Sequence, residues 1–146
     1  MSRHKIIIGN DHAGTSYKMK IKDHLEKNGF EVINVGTDSE DSTDYPDYIH
    51  PLAESIEAGK AEFGVAICGS ANGVAMTANK HQGVRAAIAW TDELSSLARE
   101  HNDANVICIP ARFITIEEAI SIVDIFVKTK FEGGRHERRV NKIACA

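Results

Sequence analysis

Cysteine is scarce: the 146 residues contain three, Cys68, Cys108 and Cys145. Their number is odd and no pair has CxxC spacing, which excludes a disulfide framework and a thiol-built metal cluster and fits a reducing cytoplasm. An excess of basic charge is lacking too. Against 21 Asp and Glu stand 17 Lys and Arg, leaving a formal charge of −4. That balance argues against nucleic acid as a partner but leaves room for a local basic pocket. No apolar run approaches the ~20 residues that cross a bilayer. The start, Met1-Ser-Arg-His-Lys5 followed by three isoleucines, has no secretory apolar region, so no membrane partner is expected and the cytoplasm is. The seven histidines show no HxxxH or HExxH spacing, which predicts no metal site. There is no GxxxxGK(S/T) loop, and Gly9-Asn-Asp-His-Ala-Gly14 is a poor match to GxGxxG, so nucleotide binding lacks support.

What is present is an ordinary globular composition, 42% hydrophobic and 26% charged, without a compositional break. One domain over residues 1–146 is predicted. Five short apolar runs read as buried strands: Lys5–Gly9, Glu31–Val35, Phe63–Cys68, Val84–Ala89 and Val106–Ile109. Helical periodicity separates them. Tyr17, Ile21 and Leu25 recur at four-residue spacing before Gly29; Ile49, Leu52, Ala53 and Ile56 share a face between Tyr48 and Ala58, provided Pro51 lies in the first turn. A short helix runs to Asn79, Thr91 caps another, and Thr115-Ile-Glu-Glu118 is a capping box before the stripe Ile116, Ala119, Ile120, Val123 and Val127. The polar segment Thr37–Asp47 is the longest loop. Alternating strands and helices imply a single Rossmann-like three-layer α/β domain with a five-stranded parallel sheet. Residues 131–146 form a helical tail with little apolar surface, expected to dock on a second subunit.

Parallel strands end on one rim, where Asn10–Gly14, the segment after Gly36, Cys68–Gly73, Trp90 and Pro110–Arg112 are expected to gather; His101-Asn-Asp103 is read as sharing it. Cys68 closes an apolar run and enters the glycine-bracketed turn Gly69-Ser-Ala-Asn-Gly73. Backbone N–H groups there would favour thiolate over thiol, whose ordinary pKa is ~8.5. Such a group is a nucleophile or a base; alternatively Cys68 is a small core residue. Cys108 reads as packing and Cys145 as incidental. Asp11-His12 suits sugar hydroxyls or phosphate, and equally a plain turn. Arg135 and Arg139, four apart, suit a phosphate clamp or a solvated surface.

Six segments in order, Gly9-Asn-Asp-His-Ala-Gly14, Thr43-Asp-Tyr-Pro46, Ile67-Cys-Gly-Ser-Ala-Asn-Gly73, Ala78-Asn-Lys80, His101-Asn-Asp-Ala-Asn-Val106 and Glu132-Gly-Gly-Arg-His136, resemble the ribose-5-phosphate isomerase B family, which also holds galactose-6-phosphate isomerase subunits and allose-6-phosphate isomerase. The resemblance implies a cofactor-free aldose–ketose isomerase of ribose 5-phosphate and ribulose 5-phosphate, a homodimer or higher homo-oligomer with shared sites. By position it makes Cys68 the base for an enediolate mechanism and His101 the ring-opening residue. Asp11, His12, Gly69, Ser70, Ala71, Asn72, Gly73, Asn102, Arg112, Arg135 and Arg139 become substrate contacts, with no metal. The turn departs from the family's Cys-Gly-Thr-Gly-(Ile/Val)-Gly at Ser70, Ala71 and Asn72. A positive φ at Ala71 would be strained, and Asn72 would bear on sugar preference. A hexose 6-phosphate isomerase and a non-catalytic sugar-phosphate sensor are the alternatives.

Overall fold

The structure, a computed structural model, describes residues 4–145; the first three residues, and with them part of the leader argument, and residue 146 lie outside the described residues. Five strands, β1 (Lys5–Asn10), β2 (Glu31–Asn34), β3 (Phe63–Cys68), β4 (Ala86–Ile88) and β5 (Val106–Pro110), form one sheet. All its pairings are parallel, in the order β2-β1-β3-β5-β4. The helices are α1 (Thr15–Lys27), α2 (Pro46–Glu57), α3 (Asn72–Ala78), α4 (Asp92–Glu100), α5 (Ile116–Lys128) and α6 (Arg135–Val140).

The apolar runs are continuous because both sheet faces are covered, and successive side chains take opposite sides. Ile6, Ile8, Val65, Ile67, Ile107 and Ile109 pack with Ile21, Leu25, Ile122 and Phe126 from α1 and α5. Ile7, Ala66, Cys68, Val106 and Cys108 pack on the other side with Ile49, Leu52 and Val74 from α2 and α3. Both anticipated caps are present: Thr91 accepts from Leu94 N, and Thr115 and Glu118 form a reciprocal capping box.

One helix boundary differs from the periodicity. α2 begins at Pro46 rather than Tyr48, and Pro51 sits inside it. Proline at the first position gives up an N–H that has no intrahelical acceptor anyway. Pro51 is exposed, and the bond it forfeits would have gone to the carbonyl of Asp47, also exposed, where water replaces it.

Strand order decides where a ligand fits. From β1 the chain goes outward to β2 and then returns to place β3 on β1's other flank. The reversal leaves a crevice beyond the carboxyl ends of β1 and β3, the switch point at which open α/β sheets bind ligands. Register puts Asn10 level with Ile67 and Cys68 level with Pro110, so the segments after β1, β3 and β5 meet at one height.

Candidate active site

The β1 end is anchored from beneath. Buried Asn10 donates from Nδ2 to Asp11 O (2.9 Å), Thr15 Oγ1 (3.1 Å) and Thr37 O (3.0 Å). Gly36 permits this closeness, since a Cβ there would stand 1.9 Å from Asn10 Oδ1. Lys18, fully buried, donates to Thr37 O at 2.5 Å, to Asn34 Oδ1 at 3.3 Å and to the Asp38 carboxylate. The Lys18 hydrogen bond, followed by that of Asn34, holds the Asp38 carboxyl below its ordinary range. A buried ammonium thus pins the long loop to α1.

Two of the proposed contacts emerge from this base. Asp11 Oδ1 accepts from Ala13 N at 2.9 Å. His12 donates its backbone N–H to Thr43 Oγ1 (3.1 Å), and its ring Nδ1 accepts from Thr43 N, also at 3.1 Å. A backbone amide always donates, so the neutral ring carries its proton on Nε2.

Cys68 ends β3 nearly buried, 5% exposed. Gly69 lies under Arg112, whose Cδ would be 3.1 Å from a Cβ at 69, and Gly69 O accepts from Arg112 N at 3.1 Å. Ser70 Oγ accepts from Asn72 N at 3.2 Å. Ala71 has φ +69° and ψ −4°, the left-handed strain anticipated for an alanine in this turn, costing about 1–2 kcal/mol. Its methyl is wholly buried on the α2–α3 side. Beyond it, the N–H groups of Gly73 and Val74 open α3, where no intrahelical acceptor exists for them.

Asp11, His12, Cys68, Gly69, Ser70, Gly73 and Arg112 line one cleft of about 460 Å³, together with Ala13, Tyr45 and Phe113. Tyr45 and Phe113 escaped the sequence argument. Tyr45 stands within the quoted Thr43-Asp-Tyr-Pro46 segment, and its ring lies so close over Gly73 that a Cβ there would be 2.5 Å from Cζ. Phe113 follows Arg112 and is 74% exposed. Asn72 is placed differently from Cys68: it lines an adjoining cleft of about 560 Å³ with Trp90, Ile88 and Pro110, joined to the first at Ser70 and Phe113. Cys108 faces the core, where burial, followed by the neighbouring Cys68, pushes its thiol pKa up and keeps it protonated. Cys145 is exposed.

His101, Asn102, Arg135 and Arg139 do not join this cleft within one chain, contrary to the single rim anticipated. α4 descends from the carboxyl rim after β4, and His101, its C-cap, therefore lies at the amino end of β5. Asn105 O there accepts from Gly64 N at 2.8 Å. The turn is held by Arg99, which donates to Ala104 O (2.7 Å) and Asp103 Oδ1 (2.8 Å). His101 stacks on buried His136 with centroids 4.2 Å apart. Burial, then the charges of His101 and Arg135, hold the His136 imidazole below its ordinary pKa, with Glu132 opposing. Arg135 and Arg139 project from α6, exposed. Among the described residues no carboxylate pairs with Arg112, Arg135 or Arg139.

Histidine spacing predicted no metal-type cluster, yet His101, Glu132 and His136 bring ligating atoms within 4.8 Å of one another. The spacing rules see only neighbours along the chain, and His101 comes from a distant loop.

A thiol, an imidazole, free backbone donors and an arginine at the switch point of a parallel sheet, read with the ordered motifs, place the protein in the class of α/β aldose–ketose isomerases. The chain belongs to the Ribose/Galactose Isomerase family, whose sequence profile matches residues 6–143. It is 45% identical to a probable ribose-5-phosphate isomerase B of Mycoplasma pneumoniae, over 96% of this chain and 93% of the relative. To the ribose-5-phosphate isomerase B of Escherichia coli it is 40% identical, over 97% and 95%. A ribose 5-phosphate isomerase crystal structure from Thermotoga maritima superposes with a TM-score of 0.96 at 44% identity, covering 99% of this chain and 100% of that one. The Mycoplasma genitalium ribose-5-phosphate isomerase B, solved with bound ribulose-5-phosphate, gives 0.93 at 41% identity over 98% and 95%. No helix among the described residues is long and apolar enough to cross a membrane.

Proposed function

We propose that this chain is a cytoplasmic aldose–ketose isomerase interconverting ribose 5-phosphate and ribulose 5-phosphate, active as a dimer in which each site is completed by the other subunit. The observation that carries the reading is the division of the candidate residues into two halves. Cys68, Asp11, His12 and Arg112 share the carboxyl-rim cleft, whereas His101 lies at the other end of α4 and α6 presents Arg135 and Arg139, neither paired with a carboxylate among the described residues. Neither half holds the full set; a two-fold dimer joins the first half of one chain to the second half of its partner, twice.

In this reading His101 of the partner subunit moves the proton that opens the furanose ring. Cys68, as thiolate, then takes the C2 proton of the open aldose to give the enediolate; the hydroxyl proton passes from O2 to O1, and Cys68 returns its proton to C1, giving the ketose. A positioned base contributes ~10²–10⁴ in rate. The negative charge developing on oxygen is met by the N–H groups of the 69–73 turn, each such donor contributing about 3 kcal/mol. His12 offers Nε2–H and Arg112 a guanidinium to the sugar phosphate, with Arg135 and Arg139 of the partner subunit as the remaining phosphate clamp. Tyr45, over Gly73, walls the cleft beside the reacting carbons. The test is direct: purified protein converts ribose 5-phosphate to ribulose 5-phosphate and Cys68→Ala does not. Equal turnover by the variant, or none by the parent, defeats the reading, and ligand binding without C2-proton exchange identifies a sensor instead.

The family's description spans ribose and galactose, and the cleft opens past Ser70 toward Asn72, which gives a second reading as a hexose 6-phosphate isomerase. Comparing kcat/KM for ribose, allose and galactose phosphates decides between them.

A further inference from the structure

Gly133 (φ +70°) and Gly134 (φ +56°) fold the chain so that Glu132 and His136 face each other across the bend. Glu132 Oε1 lies 3.5 Å from His136 Nε2 and 3.8 Å from His101 Nε2. Ligand atoms held ~2.0–2.2 Å from a tetrahedral zinc stand roughly 3.4 Å from one another, so the carboxylate already has near-ligand spacing to both rings. The imidazoles stack with planes 14° from parallel and bring both Nε2 atoms near one carboxylate oxygen; because an imidazole lone pair lies in its ring plane, the partly exposed His101 ring has to swing out of the stack to share a metal with His136. His136 is buried, and the Arg99 hydrogen bonds hold the turn after His101. Two neutral imidazoles and a carboxylate are the donor set of a borderline divalent metal with one position left open.

We propose that His101, Glu132 and His136 form a three-ligand site for a divalent transition metal of the zinc type, and that its occupation withdraws His101 from proton transfer. The inhibitory consequence rests on the isomerase reading; metal binding does not. Arg135 and Arg139 weaken the affinity by their charge, which suits reversible occupation rather than a permanent structural ion.

Binding is measured by calorimetry with Zn²⁺ and by the visible spectrum of Co²⁺, in a Cys68→Ala/Cys145→Ser chain so that reactive thiols cannot contribute. One metal per chain is expected, with a four-coordinate Co²⁺ spectrum free of sulfur bands. Loss of an outer-shell partner alone costs about 10–100-fold in affinity, so Glu132→Gln and His136→Asn each weaken binding at least that much. Circular dichroism and melting confirm that both variants fold. In the Cys145→Ser enzyme, micromolar Zn²⁺ suppresses turnover and EDTA restores it, whereas Glu132→Gln turns over without metal and resists Zn²⁺. No binding at micromolar metal, or binding unchanged by both substitutions, overturns the site; binding with full activity retained overturns the inhibitory role. A chain that binds metal but never isomerises the sugar defeats the isomerase reading and leaves the metal site standing.

Discussion

The proposed division of the site between two chains makes a quantitative prediction. β5 spans five residues, roughly 16 Å at ~3.3 Å per residue, and Cys68 is level with its last residue while His101 precedes its first. Proton transfer needs heavy atoms ~3 Å apart, a gap no side-chain rotation closes. Cys68→Ala and His101→Asn should therefore each abolish activity alone and complement each other when co-expressed. With random pairing half the dimers are hybrids, and each hybrid has one site with both residues intact and one with neither, so activity recovers to about one quarter of the parent. Tagging the two chains differently and purifying the hybrid raises the expected recovery to about one half. The assay is ribulose 5-phosphate formation at equal protein concentration. No recovery in a purified, folded hybrid would show that each chain carries a complete site, and the two-half reasoning would fall.

Three further outcomes follow from local geometry. Ala71→Gly should raise the unfolding free energy by about 0.5 kcal/mol, because relief of the ~1–2 kcal/mol left-handed strain outweighs the ~0.8 kcal/mol of lost methyl burial; a loss above about 1 kcal/mol in urea denaturation would contradict this. Gly73→Ala puts a Cβ 2.5 Å from Tyr45 Cζ and must displace that ring, so kcat/KM should fall at least about tenfold, as a misplaced site group does, with the melting temperature little changed; unchanged kinetics would remove Tyr45 from the site. Asp38 has a folded pKa below its unfolded value near ~3.9, so its stabilising contribution is complete above that value and is lost as pH falls below it. Melting temperatures between pH 5 and 3 should drop more steeply for the parent than for Asp38→Asn, and parallel curves would refute the coupling to Lys18.

Much of the architecture depends on interactions within a few residues, and those were readable along the chain. β-branched runs made strands, Thr91 and the Thr115–Glu118 box started helices, and Cys68 fell at the end of β3 as its flanking glycines required. The strain at Ala71 was likewise foreseeable, because a residue's φ preference is a property of its own Cβ. The order β2-β1-β3-β5-β4, and with it the switch point that selects Cys68's end of the sheet, came from long-range pairing that no local pattern encodes. Tertiary packing also laid Tyr45 over Gly73, turned Asn72 into the neighbouring cleft and sent His101 to the far end of α4. It assembled His101, Glu132 and His136 from segments that periodicity treats as unrelated. Local residue patterns thus set which elements form and which residue types stand at their ends. Which of those ends meet was left to long-range packing, because contact between distant segments depends on how whole layers fit together rather than on any residue's neighbours in the chain.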